Sequence, residues 1–349
     1  MTQNLHAPAV DSLVIRRPLP PWSSVVVALV VVAVTLLLFV ATPLSGRVQF
    51  LLIVAILFIA AETGVVSYAE GWRRGKNRLM TNLLITAAVV AVAPLVAVLG
   101  YTLVKGLTRF GGFFLLHSMR GVAEQDTTGG AYHAVIGTLE QVGLATLIAV
   151  PFGLMVAIYL VEYAVGRLGR TVSFFVDVMT GLPSIVAGLF ILALWILALH
   201  QSFSGFAGSM ALIILMLPTV IRSAEEMLKI VPSTLREASY ALGIPKWITV
   251  VRIVLPTALP GIVTGIMLAI ARVVGETAPL LVTVFGNTAI NTNPFSGPQA
   301  ALPLFVFSEA GLPNDTALER AWAGALTLIL LVLVLNIIAR TVARFTRVS

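Results

Sequence analysis

Apolar residues in this chain gather into long uninterrupted runs, at about 23–42, 50–69, 81–104, 134–162, 171–199, 208–229, 257–285 and 320–342. A membrane-spanning helix needs roughly 20 consecutive apolar residues, so the pattern predicts eight such helices. Residues 1–22 differ: they are polar and punctuated by Pro8, Pro18, Pro20 and Pro21, which predicts a short disordered tail. Arg16 and Arg17 precede the first apolar run, as in some export signals. That run, Ser23 to Ala41, is nearly span-length and no small-residue cleavage site follows it, so a retained span is expected.

Composition agrees. Of 349 residues, 58% are apolar and 11% charged, with a mean hydropathy of +1.01. A soluble domain carries about 25% charged residues, so a water-soluble globule is excluded and an all-α polytopic membrane protein is expected. The chain has no cysteine, which removes disulfide scaffolds, thiolate metal sites and cysteine nucleophiles. The net charge of +7 reads as basic cytoplasmic loops rather than a nucleic-acid surface. With the N-terminus inside, cytoplasmic segments hold Arg16, Arg17, Arg73, Arg74, Lys76, Arg78, Arg167, Arg170, Arg222, Lys229, Arg236, Lys246, Arg252, Arg340, Arg344 and Arg347. The outside keeps Arg47, Lys105, Arg109, Arg120 and Arg320, and Arg272 lies within a span. This asymmetry predicts that both termini are cytoplasmic. Two long outside loops follow, 105–133 and 286–319, and one substantial inside loop, about 230–256.

The inside loop reads VPSTLREASYALGIPKWITVVRIVLP from Val231. Thr234 with Glu237 has capping-box spacing and predicts a short helix from about Leu235. Gly243 followed by Pro245 predicts its end, and a second helix is expected to start at Pro245, whose missing N–H costs nothing in a first turn. Tethered between two spans, this helix-turn-helix is expected to lie on the membrane or dock into a partner.

Glu237, Ala238, Ser239, Gly243, Ile253, Leu255 and Pro256 resemble the EAA-x3-G-x9-I-x-L-P pattern of ABC importer permeases, with Ser239 in place of the second alanine. The resemblance implies the type I ABC importer permease fold. It also implies that the first short helix is a coupling helix seated in a cleft of an ATPase subunit.

The seventh run contains Arg272, Gly275, Glu276, Thr277, Ala278 and Pro279. A charge at membrane depth costs several kcal/mol, so such groups face other helices or a water-filled path. Four residues apart on a helix, Arg272 and Glu276 are spaced to form a salt bridge, either as a structural pair or beside a substrate path. Pro279 denies a hydrogen bond to the Gly275 carbonyl and should weaken the helix there. Arg222, with Glu225 and Glu226 three and four residues on, sits near the cytoplasmic end of its run, where an arginine can also snorkel to headgroups.

The R-x-x-G-E-T-A-P stretch resembles the permease subunits of phosphate ABC importers. So do Pro151 and Gly153, Tyr159 to Tyr163, Thr180 to Leu189, and the run from Pro218 through Arg222 to Lys229. The likeness covers about residues 80–345. It implies a role in phosphate passage for Arg222, Arg272 and Glu276, and four kinds of partner: phosphate, a related second permease, an ATPase dimer and an extracytoplasmic phosphate-binding protein. The chain has no G-x-x-x-x-G-K-[ST] loop, so ATP and magnesium are expected on the partner ATPase and no cofactor in this chain. An importer for molybdate or sulfate would share the EAA loop, whereas a membrane enzyme or a secondary transporter would leave its spacing unexplained.

Six spans, 81–342, suffice for this permease type. Residues 23–80 are therefore expected to be an extra N-terminal hairpin with a basic exit at Arg73, Arg74, Lys76 and Arg78, and residues 81–349 the permease core. Within the hairpin, Glu62 is assigned to packing or snorkelling. Gly261-x-x-x-Gly265 permits close helix contact, including with a second permease. His117, His133 and His200 lack metal-ligand spacing, Asp177 shows no partner, and Trp22, Trp72 and Trp322 flank span ends.

Overall fold

The structure is a computed structural model that describes residues 19–20, 22–42 and 46–345, so the tail 1–22 lies almost wholly outside the described residues. The elements are α1 Ser23–Ala41, α2 Arg47–Glu70, α3 Trp72–Gly106, α4 Gly112–Leu116, α5 Tyr132–Ile158, α6 Gly166–Thr180 and α7 Ser184–Ile191. They continue as α8 Gly205–Ile230, α9 Ser233–Ala241, α10 Lys246–Thr249, α11 Leu255–Val274, α12 Ala278–Leu281, α13 Leu302–Ala310 and α14 Asp315–Phe345. Three π-helical turns extend this set: Tyr159–Tyr163 after α5, Leu192–Ala198 after α7, and Val250–Val254 between α10 and α11. Among the described residues, seven helices are long and apolar enough to cross a membrane, or eight if one bent pair counts as a span.

That bent pair corrects the expectation of a straight span at 171–199. The helix stops at Thr180, resumes at Ser184, and turns by 105° between the two. Pro183 lacks an N–H and pushes Leu182 out of helical conformation, and Gly181 supplies the break in front of it. The run at 257–285 is also discontinuous. α11 ends at Val274, three residues lie outside any helix, and α12 then adds one short turn with Pro279 near its start.

The chain divides into a unit of residues 1–99 and a unit of residues 100–349. In the first, α1 is apolar on all sides, with only Val31 and Thr35 buried. Its polar centre is Glu62, whose carboxylate is 3% exposed. It accepts hydrogen bonds from Ser24 Oγ at 2.7 Å, Arg78 Nε at 2.8 Å and Asn82 Nδ2 at 2.8 Å. A carboxylate buried without such donors would cost several kcal/mol, so Glu62 fixes the register of three helices rather than snorkelling.

In the second unit α8 is the central helix. Buried positions make up 61% of its most apolar window, against 28% for those of α11 and α14. Ala145 and Ala149 of α5, Met216 and Val220 of α8 and Ala269 of α11 share one core. Small residues let the backbones approach, which is how helices gain packing energy in lipid. A Cβ on Gly265 would lie 2.4 Å from Ser223 Cβ, and one on Gly261 would lie 2.1 Å from Met227 Sδ. The G-x-x-x-G face of α11 is therefore filled by α8 of the same chain. Arg320, expected among outside loop residues, is fully buried. Its guanidinium pairs with Glu309 and donates to the carbonyls of Asp126 at 2.7 Å and Glu124 at 2.8 Å, tying the 105–133 loop to α13 and α14.

Candidate functional site

The loop between α8 and α11 folds as two short helices around a turn. Pro232 occupies the N-cap of α9, and no side chain caps the helix. The expected Thr234 and Glu237 box is not formed because α9 starts at Ser233, which places Thr234 already inside the first turn. Glu237 and Ala238 are consequently exposed on the outer face. Gly243 takes φ +76°, a left-handed value that ends α9 without a Cβ penalty. Pro245 is the N-cap of α10 rather than its first residue.

Arg236 ties this loop to the bundle, and Ser239 closes it on itself. Arg236 donates to Glu162 Oε1 from Nε at 3.0 Å and Nη2 at 2.8 Å, and also to the carbonyls of Val231 at 2.6 Å and Leu228 at 3.0 Å. One guanidinium thus joins α9 to the π turn after α5 and to the end of α8. Ser239, the departure from the second alanine, is buried and hydrogen-bonded to Thr249 Oγ1 at 2.7 Å, closing α9 onto α10. Ile253, Leu255 and Pro256 then carry the chain into α11. Pro256 has no N–H for the Arg252 carbonyl, and the widened π turn sits at that point.

Above the loop, on the inner part of α8, Arg222 lies between two carboxylates. It pairs with Glu225 on its own helix and with Asp177 of α6, and its Nη2 donates to Ser173 Oγ at 2.9 Å and the Ser173 carbonyl at 3.0 Å. Lys229 Nζ holds the other oxygen of Glu225 at 2.7 Å. Ser173 and Asp177 are four apart on α6, and Arg222, Glu225 and Lys229 share a face of α8, so helical spacing aligns each set and the packing of α6 on α8 brings them together. Asp177, which shows no partner in the sequence, is the partner of Arg222. Its side chain is 66% exposed, against 10% for Glu225 and 26% for Arg222.

Arg272 and Glu276 do not pair. The backbone leaves the helix at Gly275, whose N–H bonds to the Arg272 carbonyl at 3.3 Å, so the i,i+4 geometry that the spacing offered is lost. Arg272 is exposed in the last turn of α11 and makes no hydrogen bond or ion pair among the described residues, while Glu276 is half-buried. Gly261 faces Met227 and Gly265 faces Ser223, so α8 and α11 run antiparallel and Arg272 lies level with Met216. The two arginines therefore differ by six residues of height, about 9 Å. Arg222 is nearer the α9–α10 loop and Arg272 deeper.

The two broken spans meet just beyond their breaks, where α7 packs on α12. A Cβ on Gly188 of α7 would stand 2.6 Å from Pro279 Cα of α12. The Thr180–Leu189 and Gly275–Pro279 stretches, remote in sequence, thereby form one contact. Sequence reasoning missed the long-range partners: Asp177 and Ser173 for Arg222, and Glu162 for Arg236. Their one signal was an acid at helical spacing on a neighbouring apolar helix.

Residues 149–348 match the family of binding-protein-dependent transport system inner membrane components. The phosphate transport system permease protein PstA 1 of Mycobacterium tuberculosis (strain CDC 1551 / Oshkosh) is 52% identical over 270 residues, which cover 76% of this chain and 88% of that protein. PstA of Mycobacterium leprae (strain TN) is 50% identical over 268 residues, covering 76% and 88%, and PstA of Yersinia pestis 41% identical over 276 residues, covering 78% and 92%. Among solved structures, a chain of the inward-facing MetNI methionine ABC transporter is 21% identical with a TM-score of 0.49, covering 62% of this chain and 96% of its own. The coverage and identity of these relatives place the chain in the binding-protein-dependent transport inner membrane family, within its PstA group of phosphate transport system permease proteins.

Proposed function

We propose that this multi-pass membrane protein is the permease subunit of an ATP-driven inorganic phosphate importer and lines half of the translocation path. The observation that carries the reading is the 41–52% identity to phosphate transport permeases over about three quarters of the chain. The chemistry supports it: phosphate carries between one and two negative charges near neutral pH, and arginine offers it a charged planar fork. Arg222, facing α6, and Arg272, about 9 Å deeper on α11, are the substrate contacts in this reading. Glu276, beside the helix break, completes the path. Discontinuous helices with charge at membrane depth are where transporters hold their substrates.

Both termini face the cytoplasm, following the basic residues, and the α9–α10 loop faces the ATPase. Glu237, Ala238, Ser239, Gly243, Ile253, Leu255 and Pro256 shape that coupling element. The partners are a PstC-like second permease, a PstB-like ATPase dimer that holds ATP and magnesium, and a PstS-like extracytoplasmic phosphate-binding protein. Residues 81–349 are the six-helix core and residues 23–80 an additional hairpin.

The test is ATP-dependent uptake of labelled phosphate by proteoliposomes holding the assembled complex, comparing wild type with Arg272→Gln while ATP hydrolysis is followed. Uptake is expected to be lost with assembly and hydrolysis retained. Normal uptake by the variant would remove Arg272 from the path. A wild-type complex that moves molybdate or sulfate instead of phosphate would reassign the substrate.

A further inference from the structure

The Arg222 cluster carries a consequence for selectivity. An anion that reaches this guanidinium meets two carboxylates already bonded to it. Glu225 is nearly buried and is held from both sides, by Arg222 and by Lys229. Asp177 is largely exposed, reaches Arg222 from a different helix, and is therefore the group that shares the arginine with an incoming ligand. The Ser173 carbonyl and hydroxyl oxygens also accept from the same Nη2, at 3.0 and 2.9 Å. The surroundings thus present one strong donor group and, next to it, acceptors.

We propose that Asp177 and Ser173 make the Arg222 position a filter for oxyanions that retain a proton. Phosphate at neutral pH keeps at least one P–OH, so it places an unprotonated oxygen on the guanidinium while its hydroxyl donates to the Asp177 carboxylate. Sulfate and molybdate keep no proton near neutral pH. They meet Asp177 acceptor to acceptor, with like charges in contact and no hydrogen bond to offset them. Rejection by a built-in unfavourable contact discriminates more sharply than added attraction does. No proton is transferred in this scheme, because the hydrogen bond alone distinguishes the ligands. Lys229 and Glu226 are the remaining charged side chains on this stretch of α8. Lys229 is bound to Glu225, and Glu226 points to the opposite side, toward a cavity of about 570 Å³ shared with α11 and Arg340.

The proposal rests on the reading that the path passes Arg222, and the experiment separates the two. An external binding protein selects what enters, so the filter is read from the other face. Phosphate or sulfate, at matched ionic strength, is supplied on the ATPase side of proteoliposomes that take up labelled phosphate, and inhibition of uptake is measured. In wild type, phosphate is expected to inhibit at concentrations about tenfold or more below sulfate, the scale set by one unpaired polar contact. Asp177→Asn, whose amide can donate to sulfate, is expected to bring the two within about threefold, and Asp177→Glu to keep the preference. Equal inhibition by both anions in wild type, inhibition by neither, or unchanged preference in Asp177→Asn would overturn the filter. Unaltered uptake in Arg222→Gln would overturn the underlying path assignment instead.

Discussion

Two buried charge clusters, one in each unit of the chain, are built on inverse plans. Around Glu62 a carboxylate is enclosed by three donors from α1 and α3, and its exposure falls to 3%. Around Arg222 a cation is flanked by acceptors, yet it remains 26% exposed and its second carboxylate 66% exposed. In the first arrangement the central group is sealed: the Glu62 carboxylate lies among three donors, and solvent reaches only its partner Arg78, which is 42% exposed. In the second, one partner can move aside without unpacking anything. An ionic cluster is thus a structural clasp when its central group is sealed from solvent, as Glu62 is, and a candidate site when the central group itself is reached, as Arg222 is.

The comparison breaks most visibly in the closed cluster. Arg78→Met leaves Glu62 buried with only Ser24 and Asn82. Loss of one partner of a buried pair costs about 3–5 kcal/mol, and because Arg78 is 42% exposed the low end, about 3 kcal/mol, is expected in thermal unfolding of the detergent-solubilised protein. Phosphate uptake per folded molecule is expected to stay at the wild-type level, and its collapse would move the Glu62 cluster into the transport machinery. A smaller effect is expected where α8 meets α11. Gly265→Ala drives a methyl group into Ser223, next to Arg222, and overpacking of this kind costs about 1–3 kcal/mol. Here stability and uptake should fall together.

Arg236→Gln sharpens the contrast from the opposite side. Its guanidinium is the link between α9, the turn after α5 and the end of α8. Uptake is expected to fall about tenfold, or about 1.4 kcal/mol of coupling, with the ATPase still bound. The reversed pair Glu162→Arg with Arg236→Glu should recover part of it, and equal ATPase release in both variants would make the link a docking contact. The smallest effect belongs to Ser239→Ala, which restores the alanine of the family pattern. Thr249 keeps its bond to the Pro245 carbonyl, so the loss is about 0.5–1 kcal/mol in unfolding, with uptake unchanged.

Hydropathy made most spans legible because the signal is local and long: the runs at 23–42 and 50–69 appear as Ser23–Ala41 and Arg47–Glu70. It is blind to direction, and an apolar run such as 171–199 reads the same whether the helix continues or turns at Gly181 and Pro183. The α9–α10 loop was legible through its glycine and prolines, which act on the backbone where they stand. Side-chain pairing was not. Arg272 and Glu276 have the right spacing for a bridge only if the helix persists through Gly275, and Asp177 finds Arg222 across 45 residues of intervening chain. Local spacing proposes such contacts, whereas the packing of separate helices decides them.

One consequence lies in the length of the element that begins in the α9–α10 loop. From Lys246 to Val274 the chain is helical for 29 residues, its π turn included, which at 1.5 Å per residue is about 43 Å. A tilt of about 5° at the Lys246 end swings Arg272, 26 residues on, through roughly 3.4 Å, by the same geometry. If the α9–α10 loop couples to an ATPase as proposed, this helix is the lever that would carry its stroke to Arg272.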